Sequence, residues 1–213
     1  RSAGIGCGDY FDFLSLPGRR VGVVVGDVSG HGMPAAVRMI EARAHLRALC
    51  RSETDPGRLL TELNRFMLED AAYGDHGAEQ FVTMFLAVLE PDGRTAHYAG
   101  AGHDAYLIGN DGEERHLKST GLPLGIDDQP IDTAGPIALA PGDILLLATD
   151  GIEESEDPAG TFFGRHRLLE TVRTHRKLRP QRLVERICTA VEAFRSEAPQ
   201  RDDVTLLVVR PRH

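Results

Sequence analysis

Hydrophobic and polar positions repeat with two different periods along the chain, and the switches between them mark its elements. From Ile5 to Phe13 aromatic and acidic residues alternate, which predicts a strand with Asp9 near its start. Pro17-Gly18 is a turn signal, and the β-branched run Val21-Gly22-Val23-Val24-Val25 follows it. A hairpin is therefore predicted that brings Asp9 close to Asp27. Met33 to Cys50 takes up the helical period, with Pro34 suited to the first turn. Its apolar residues form two stripes, Met33-Val37-Ile40-Ala44-Ala48 and Met39-Ala42-Leu46-Leu49, which predicts a helix covered on more than one side. Asp55 is a good cap for a second helix, Pro56 opens it, and Leu59, Leu60, Leu63, Phe66 and Met67 make one face. The two helices are expected to pack as an antiparallel pair on a sheet.

Ala71 to Gln80 is polar and reads as a loop. Phe81 to Leu89 is apolar on both alternating faces, the mark of a central strand covered on both sides. Pro91-Asp92-Gly93 returns the chain into Arg94–Ala99, and Gly100-Ala101-Gly102-His103 interrupts the pattern. Ala105–Ile108 resumes it, and Asn110-Asp111-Gly112 turns again. These segments predict an antiparallel meander. Gly121–Ile126 reads as a stiff apolar loop, and Pro141-Gly142-Asp143 turns into the buried strand Ile144–Ala148. Helices are predicted from Arg165 to Arg176 and, most clearly, through Leu183, Ile187, Val191 and Phe194, between Pro180 and Pro199. The chain closes on a strand through Leu206-Leu207-Val208-Val209, opened by Asp202 and Asp203.

Composition narrows the class. The 213 residues are 41% hydrophobic and 26% charged, the profile of one globular domain over 1–213. A net charge of -8 disfavours nucleic acid, and no apolar run approaches a membrane span, so neither is expected as a partner. Cys7, Cys50 and Cys188 are odd in number and widely spaced, which matches no zinc pattern and fits a reducing, cytoplasmic setting. The chain begins at Arg1 without an initiator Met or signal peptide, as expected of a domain excised from a longer protein.

The candidate chemistry gathers at Gly26-Asp27-Val28-Ser29-Gly30-His31-Gly32-Met33, where a strand ends, glycines turn the backbone and a helix begins. Such a turn presents N–H groups to an anion, and Asp27 beside it calls for a cation. A Gly-rich turn with a capping Asp is the plainer alternative. Asp150 likewise follows a fully apolar strand, and Glu153 and Glu154 make its field more negative. Asp202 opens a strand, and in an antiparallel sheet one strand's start lies beside its neighbour's end. Asp27, Asp150 and Asp202 are therefore expected on one rim, as a hard oxygen site for Mg²⁺ or Mn²⁺. Asp12 is expected to face solvent. His103, among glycines, either reaches such a site or serves structure.

Five motifs, Gly8-Asp9-Tyr10-Phe11-Asp12, Gly26-Asp27-Val28-Ser29-Gly30-His31-Gly32, Ala99-Gly100-Ala101-Gly102-His103, Thr149-Asp150-Gly151 and Asp202-Asp203-Val204-Thr205, occur in an order and spacing that resembles the SpoIIE/RsbU-type bacterial serine/threonine phosphatases. These are a branch of the metal-dependent PP2C-like (PPM) phosphatases. The resemblance implies an α+β fold, an α-β-β-α sandwich of two mostly antiparallel sheets with helices on both outer sides. It implies two Mn²⁺ or Mg²⁺ ions bridged by Asp27, with the Val28 carbonyl and Asp9 on the first and Asp150 and Asp202 on the second. Asp203 replaces Asp202 if the register differs by one, and Gly30, His31 and His103 are further candidates. The ions would activate a water, with no side-chain nucleophile. Cys7 stands where this branch usually has glycine. The phosphate-binding arginine of eukaryotic relatives has no counterpart, and His31 lacks their general-acid spacing. The implied substrate is phosphoserine or phosphothreonine on a STAS-type anti-sigma-factor antagonist. The implied partners are an upstream regulatory domain or activator protein, with a homodimer as a further option. A pseudophosphatase acting as a binding module and a small-molecule phosphohydrolase are the rival readings.

Overall fold

The computed structural model describes residues 6–73 and 80–211. β1 (Tyr10–Leu16) and β2 (Arg20–Val28) form the expected hairpin, paired from Tyr10↔Gly26 to Leu16↔Arg20. β3 (Val82–Leu89) pairs with the other edge of β2. Central placement explains the unbroken apolar run of β2. Val24 and Val28 point into one core, and Val23 and Val25 into another. β4 (Thr95–Ala101) and β7 (Ala134–Ala138) complete a five-stranded sheet of order β1-β2-β3-β4-β7.

The second sheet has the order β6-β5-β8-β9, from β5 (Ala105–Ile108), β6 (Glu114–Leu117), β8 (Ile144–Ala148) and β9 (Leu206–Val209). α1 (Met33–Leu49) and α2 (Pro56–Tyr73) cover the outside of the first sheet through Met39, Leu46, Leu60 and Leu63. α4 (Gly164–His175) and α5 (Pro180–Arg195) cover the outside of the second through Leu168, Leu183 and Ile187. Phe85, Leu107, Leu145 and Leu147 fill the space between the sheets. The result is the expected α-β-β-α sandwich. Asp55 caps α2 as its sequence predicts, accepting the Arg58 N–H at 2.9 Å.

Several expectations change. The meander is split, because β4 belongs to the first sheet and β5 to the second. Glycines permit the crossing. Gly102 has φ +66°, and a Cβ on it would stand 2.5 Å from Pro123 Cγ. Asp27, Asp150 and Asp202 therefore do not share the rim of one sheet: β2 lies in the first, and β8 and β9 lie in the second. α1 is covered on one side only. Ala35, Met39, Ala42 and Leu46 are buried, while Met33, Val37 and Ile40 are exposed, Ile40 at 63%. Residues 71–73 of the predicted loop continue α2, and its positions 74–79, like Ile5 of the first strand, lie outside the described residues. Asp12 is no free surface acid. Burial works against its charge, yet Arg47 donates to both carboxylate oxygens at 2.7 and 2.8 Å and Tyr10 adds a hydroxyl at 2.8 Å. Together they hold Asp12 below the usual carboxylate range and tie β1 to α1.

Candidate active site

The hairpin register carries Asp9 and Asp27 one step past the pair Tyr10↔Gly26, and their side chains hydrogen-bond each other. From the second sheet, β8 and β9 pair up to Ala148↔Leu206, and Thr149 extends the ladder by donating its N–H to the Thr205 carbonyl at 3.0 Å. The Thr149 hydroxyl accepts from the Thr205 N–H at 3.0 Å and donates to Asp9 Oδ2 at 2.9 Å. One buried threonine thus joins β8, the approach to β9 and the approach to β1. Asp150 opens α3 (Asp150–Glu153) directly after it. Gly151 lies against the Asp203 carbonyl so closely that a Cβ there would stand 2.0 Å from the oxygen. That contact brings Asp202 beside the start of α3.

Asp202 and Asp203 take different positions. Asp203 is buried, and its Oδ2 accepts the Gly8 N–H at 2.9 Å, fixing the chain that leads into Asp9. Asp202 is exposed, and its charge acts on Asp27. Burial pushes the Asp27 carboxyl up to about 8, and the charges of Asp9, Asp150 and Asp202 add to the push. Asp9 is raised chiefly by burial, against hydrogen bonds from Thr205, Thr149 and Asp27. Although Asp202 is exposed as a residue, the partial desolvation of its carboxyl raises it, Asp150 and Asp203 add to the rise, and the Asp203 N–H and the nearby His31 pull it back. Glu154, expected from the sequence to make the field at Asp150 more negative, is raised by desolvation and then by Asp150 and Asp202.

The remaining candidates are placed as follows. Val28 ends β2, and its carbonyl faces Gly8, where a Cβ would come within 3.3 Å of the oxygen and 3.5 Å of Asp27 Oδ1. Gly30, with φ +96°, and His31 lie exposed between β2 and α1. His103 is buried between the sheets, with both ring nitrogens engaged. Cys7 approaches the site, but burial pushes its thiol up to about 11. A cleft of about 440 Å³ adjoins Asp150, lined by Asp104, Tyr106, Glu153 and Phe162 among others. A more apolar cavity of about 240 Å³ between α5 and β9 contains none of these acids. Thr149, Thr205 and Gly8 were visible within the sequence motifs, but only the fold gives them their parts.

The donor set suits a hard divalent cation. All donors are oxygens, the carboxyls repel one another, and the missing Cβ of Gly8 leaves the Val28 carbonyl open. Among the described residues, no three His, Cys, Asp or Glu side chains stand close enough together to hold a metal ion by themselves. The acids form an open rim, which fits Mg²⁺ or Mn²⁺ retaining several waters.

The family model for stage II sporulation protein E (SpoIIE) matches residues 17–212. The chain belongs to the SpoIIE family. This SpoIIE-family chain is 27% identical to protein IcfG of Synechocystis and 29% identical to the phosphoserine phosphatase RsbU of Bacillus subtilis, over 95% of its own length in each case. It spans 35% of IcfG and 59% of RsbU. Its fold matches the SiaA-PP2C domain of Pseudomonas aeruginosa with a TM-score of 0.86 at 24% identity, covering 99% of this chain and 83% of that one. It also matches RsbX solved in complex with magnesium, with a TM-score of 0.68 at 16% identity, covering 97% and 89%. Among the described residues, no helix of this SpoIIE-family chain is long and apolar enough to cross a membrane.

Proposed function

We propose that this domain is a Mg²⁺- or Mn²⁺-dependent phosphatase that hydrolyses phosphoserine or phosphothreonine on a phosphorylated STAS-type anti-sigma-factor antagonist. The observation that carries the reading is the convergence of Asp9 and Asp27 from one sheet with Asp150 and Asp202 from the other, in a chain of the SpoIIE family. Asp9, Asp27 and the Val28 carbonyl would hold one ion, and Asp27, Asp150 and Asp202 a second. Two such ions, when bound, lower the pKa of an attacking water and offset the charge spread over the phosphoryl oxygens.

The chain's own residues prepare that chemistry. Thr149 and Thr205 orient the Asp9 carboxylate, and Asp203 anchors Gly8 beside it. The nucleophile is water. The Cys7 thiol, raised to about 11, is almost wholly protonated at neutral pH and so a poor nucleophile. The Ser155 hydroxyl is turned to the Gly151 carbonyl at 2.7 Å. Water attacks phosphorus in line, the P–O bond to the serine oxygen breaks, and that oxygen leaves as the hydroxyl with a proton drawn from water. The cleft beside Asp150 offers room for the segment bearing the phosphoserine. An upstream regulatory domain or activator protein would act through α1 and α2; α1 meets the site at Ala35, whose Cβ lies 3.5 Å from where a Cβ on Gly8 would stand.

Hydrolysis of p-nitrophenyl phosphate with Mn²⁺, with Mg²⁺ and after EDTA tests the reading. Turnover is expected to require metal and to vanish in a folded Asp27→Ala variant, and phosphorylated STAS proteins should outcompete phosphometabolites as substrates. Metal-independent turnover, or full activity in Asp27→Ala, would sink it. Metal binding without turnover on any phosphoprotein would favour a binding module instead.

A further inference from the structure

We propose that His103 is a positioning residue, which sets the spacing between the Asp9–Asp27 half of the site and the Asp150–Asp202 half and thereby the affinity for divalent metal. The inference rests on the metal-dependent reading above. His103 sits where the chain leaves the first sheet and enters the second, between β4 and β5. Gly100 and Gly102 make that crossing tight: a Cβ on Gly100 would stand 2.5 Å from the His103 carbonyl oxygen.

The imidazole spans the gap between the sheets. Its Nδ1 lies 3.1 Å from the Thr83 hydroxyl, and Thr83 is the residue of β3 paired with Asp27. Its Nε2 lies 2.9 Å from the Ala148 carbonyl, which is followed directly by Thr149 and Asp150. A carbonyl only accepts, so Nε2 carries the proton. Nδ1 then accepts from Thr83, and a single neutral tautomer satisfies both partners. Only 8% of the residue is exposed, and burial disfavours its charged form. A neutral ring at this place links the two sheets without adding positive charge beside a cation site. A short aliphatic residue would leave the Thr83 hydroxyl and the Ala148 carbonyl facing each other across a gap.

The test is calorimetric titration of Mn²⁺ into wild type, His103→Ala, His103→Gln and Thr83→Val, with thermal unfolding of each in EDTA. Groups that orient metal ligands change affinity by about ten- to a hundredfold when removed. His103→Ala is expected to weaken Mn²⁺ binding by that amount. His103→Gln, whose amide can donate to Ala148, should recover part of the loss, and Thr83→Val should weaken binding several-fold while its metal-free Tm stays near wild type. Wild-type affinity in Thr83→Val and in the folded His103 variants, whatever their Tm, would overturn the inference and mark the ring as packing alone. If His103→Ala does not fold, Thr83→Val and His103→Gln decide. A wild type that binds no Mn²⁺ overturns the metal-dependent reading itself, so the two failures are separable.

Discussion

Asp27 shares its corner of the molecule with Asp9, Asp150 and Asp202, and burial together with those charges pushes its carboxyl up to about 8. In the unfolded chain the same group titrates near about 3.9. A folded-state pKa raised in this way stabilises the fold fully below the unfolded value, and that contribution fades as pH rises toward about 8. The Tm of metal-free protein is therefore expected to fall between pH 5 and pH 8, and Asp27→Asn should flatten the slope. A scan in EDTA with equal slopes in both proteins would refute this. Saturating Mg²⁺, which favours the ionised form, should restore stability most at the alkaline end. Asp27, Asp150 and Asp202 were legible in the sequence because a carboxylate beside a buried strand stands out. Thr149 was not, because its partner Asp9 lies 140 residues away and nothing local announces the pairing.

At the scale of elements, periodicity reveals that α1 exists but not which of its two apolar stripes meets the sheet. The structure buries Met39, Ala42 and Leu46 and leaves Val37 and Ile40 to solvent. Arg38 is buried too, donating to Asp70 at 2.6 Å and to the Met67 carbonyl at 2.9 Å, so a charged side chain forms part of the contact with α2. Met39→Ala is expected to cost about 2–5 kcal/mol, the range for emptying a buried site. Ile40→Ser should stay within about 0.5 kcal/mol of wild type, as surface changes do. Urea unfolding of the two variants checks the assignment, and the reverse ranking would refute it. The hairpin of β1 and β2 was legible down to its turn, because Pro17-Gly18 and the valine run are both local signals. The acids' distribution over two sheets was not, because the crossing between β4 and β5 depends on glycine contacts with Pro123 and Ser119, which are distant in sequence.

For the molecule as a whole, the two sheets meet at the site, so an ion bound there is expected to stabilise both at once. At a hundredfold excess over its Kd, a ligand specific to the native state adds about 2.7 kcal/mol. Addition of Mn²⁺ should therefore raise the Tm of the whole domain in a single transition, and EDTA should reverse the rise. Gly151→Ala should abolish it, because a Cβ placed 2.0 Å from the Asp203 carbonyl forces Asp150 and Asp202 apart. An undiminished Mn²⁺ shift in that variant would show that the close approach is unimportant to the site. The order of the layers was readable from the sequence only through the family resemblance. The local patterns gave the strands and helices but left their division between two sheets open.

The separation of the acids along the chain has a further consequence, in time. Asp150 follows Asp27 by about 120 residues, and Asp202 lies later still. A ribosome adding roughly 5–20 residues each second presents the first pair many seconds before the second. A nascent chain thus carries Asp9 and Asp27 without the acids that face them, and on the proposed reading it gains its affinity for an ion only when the segment leading into Leu206–Val209 has emerged and paired.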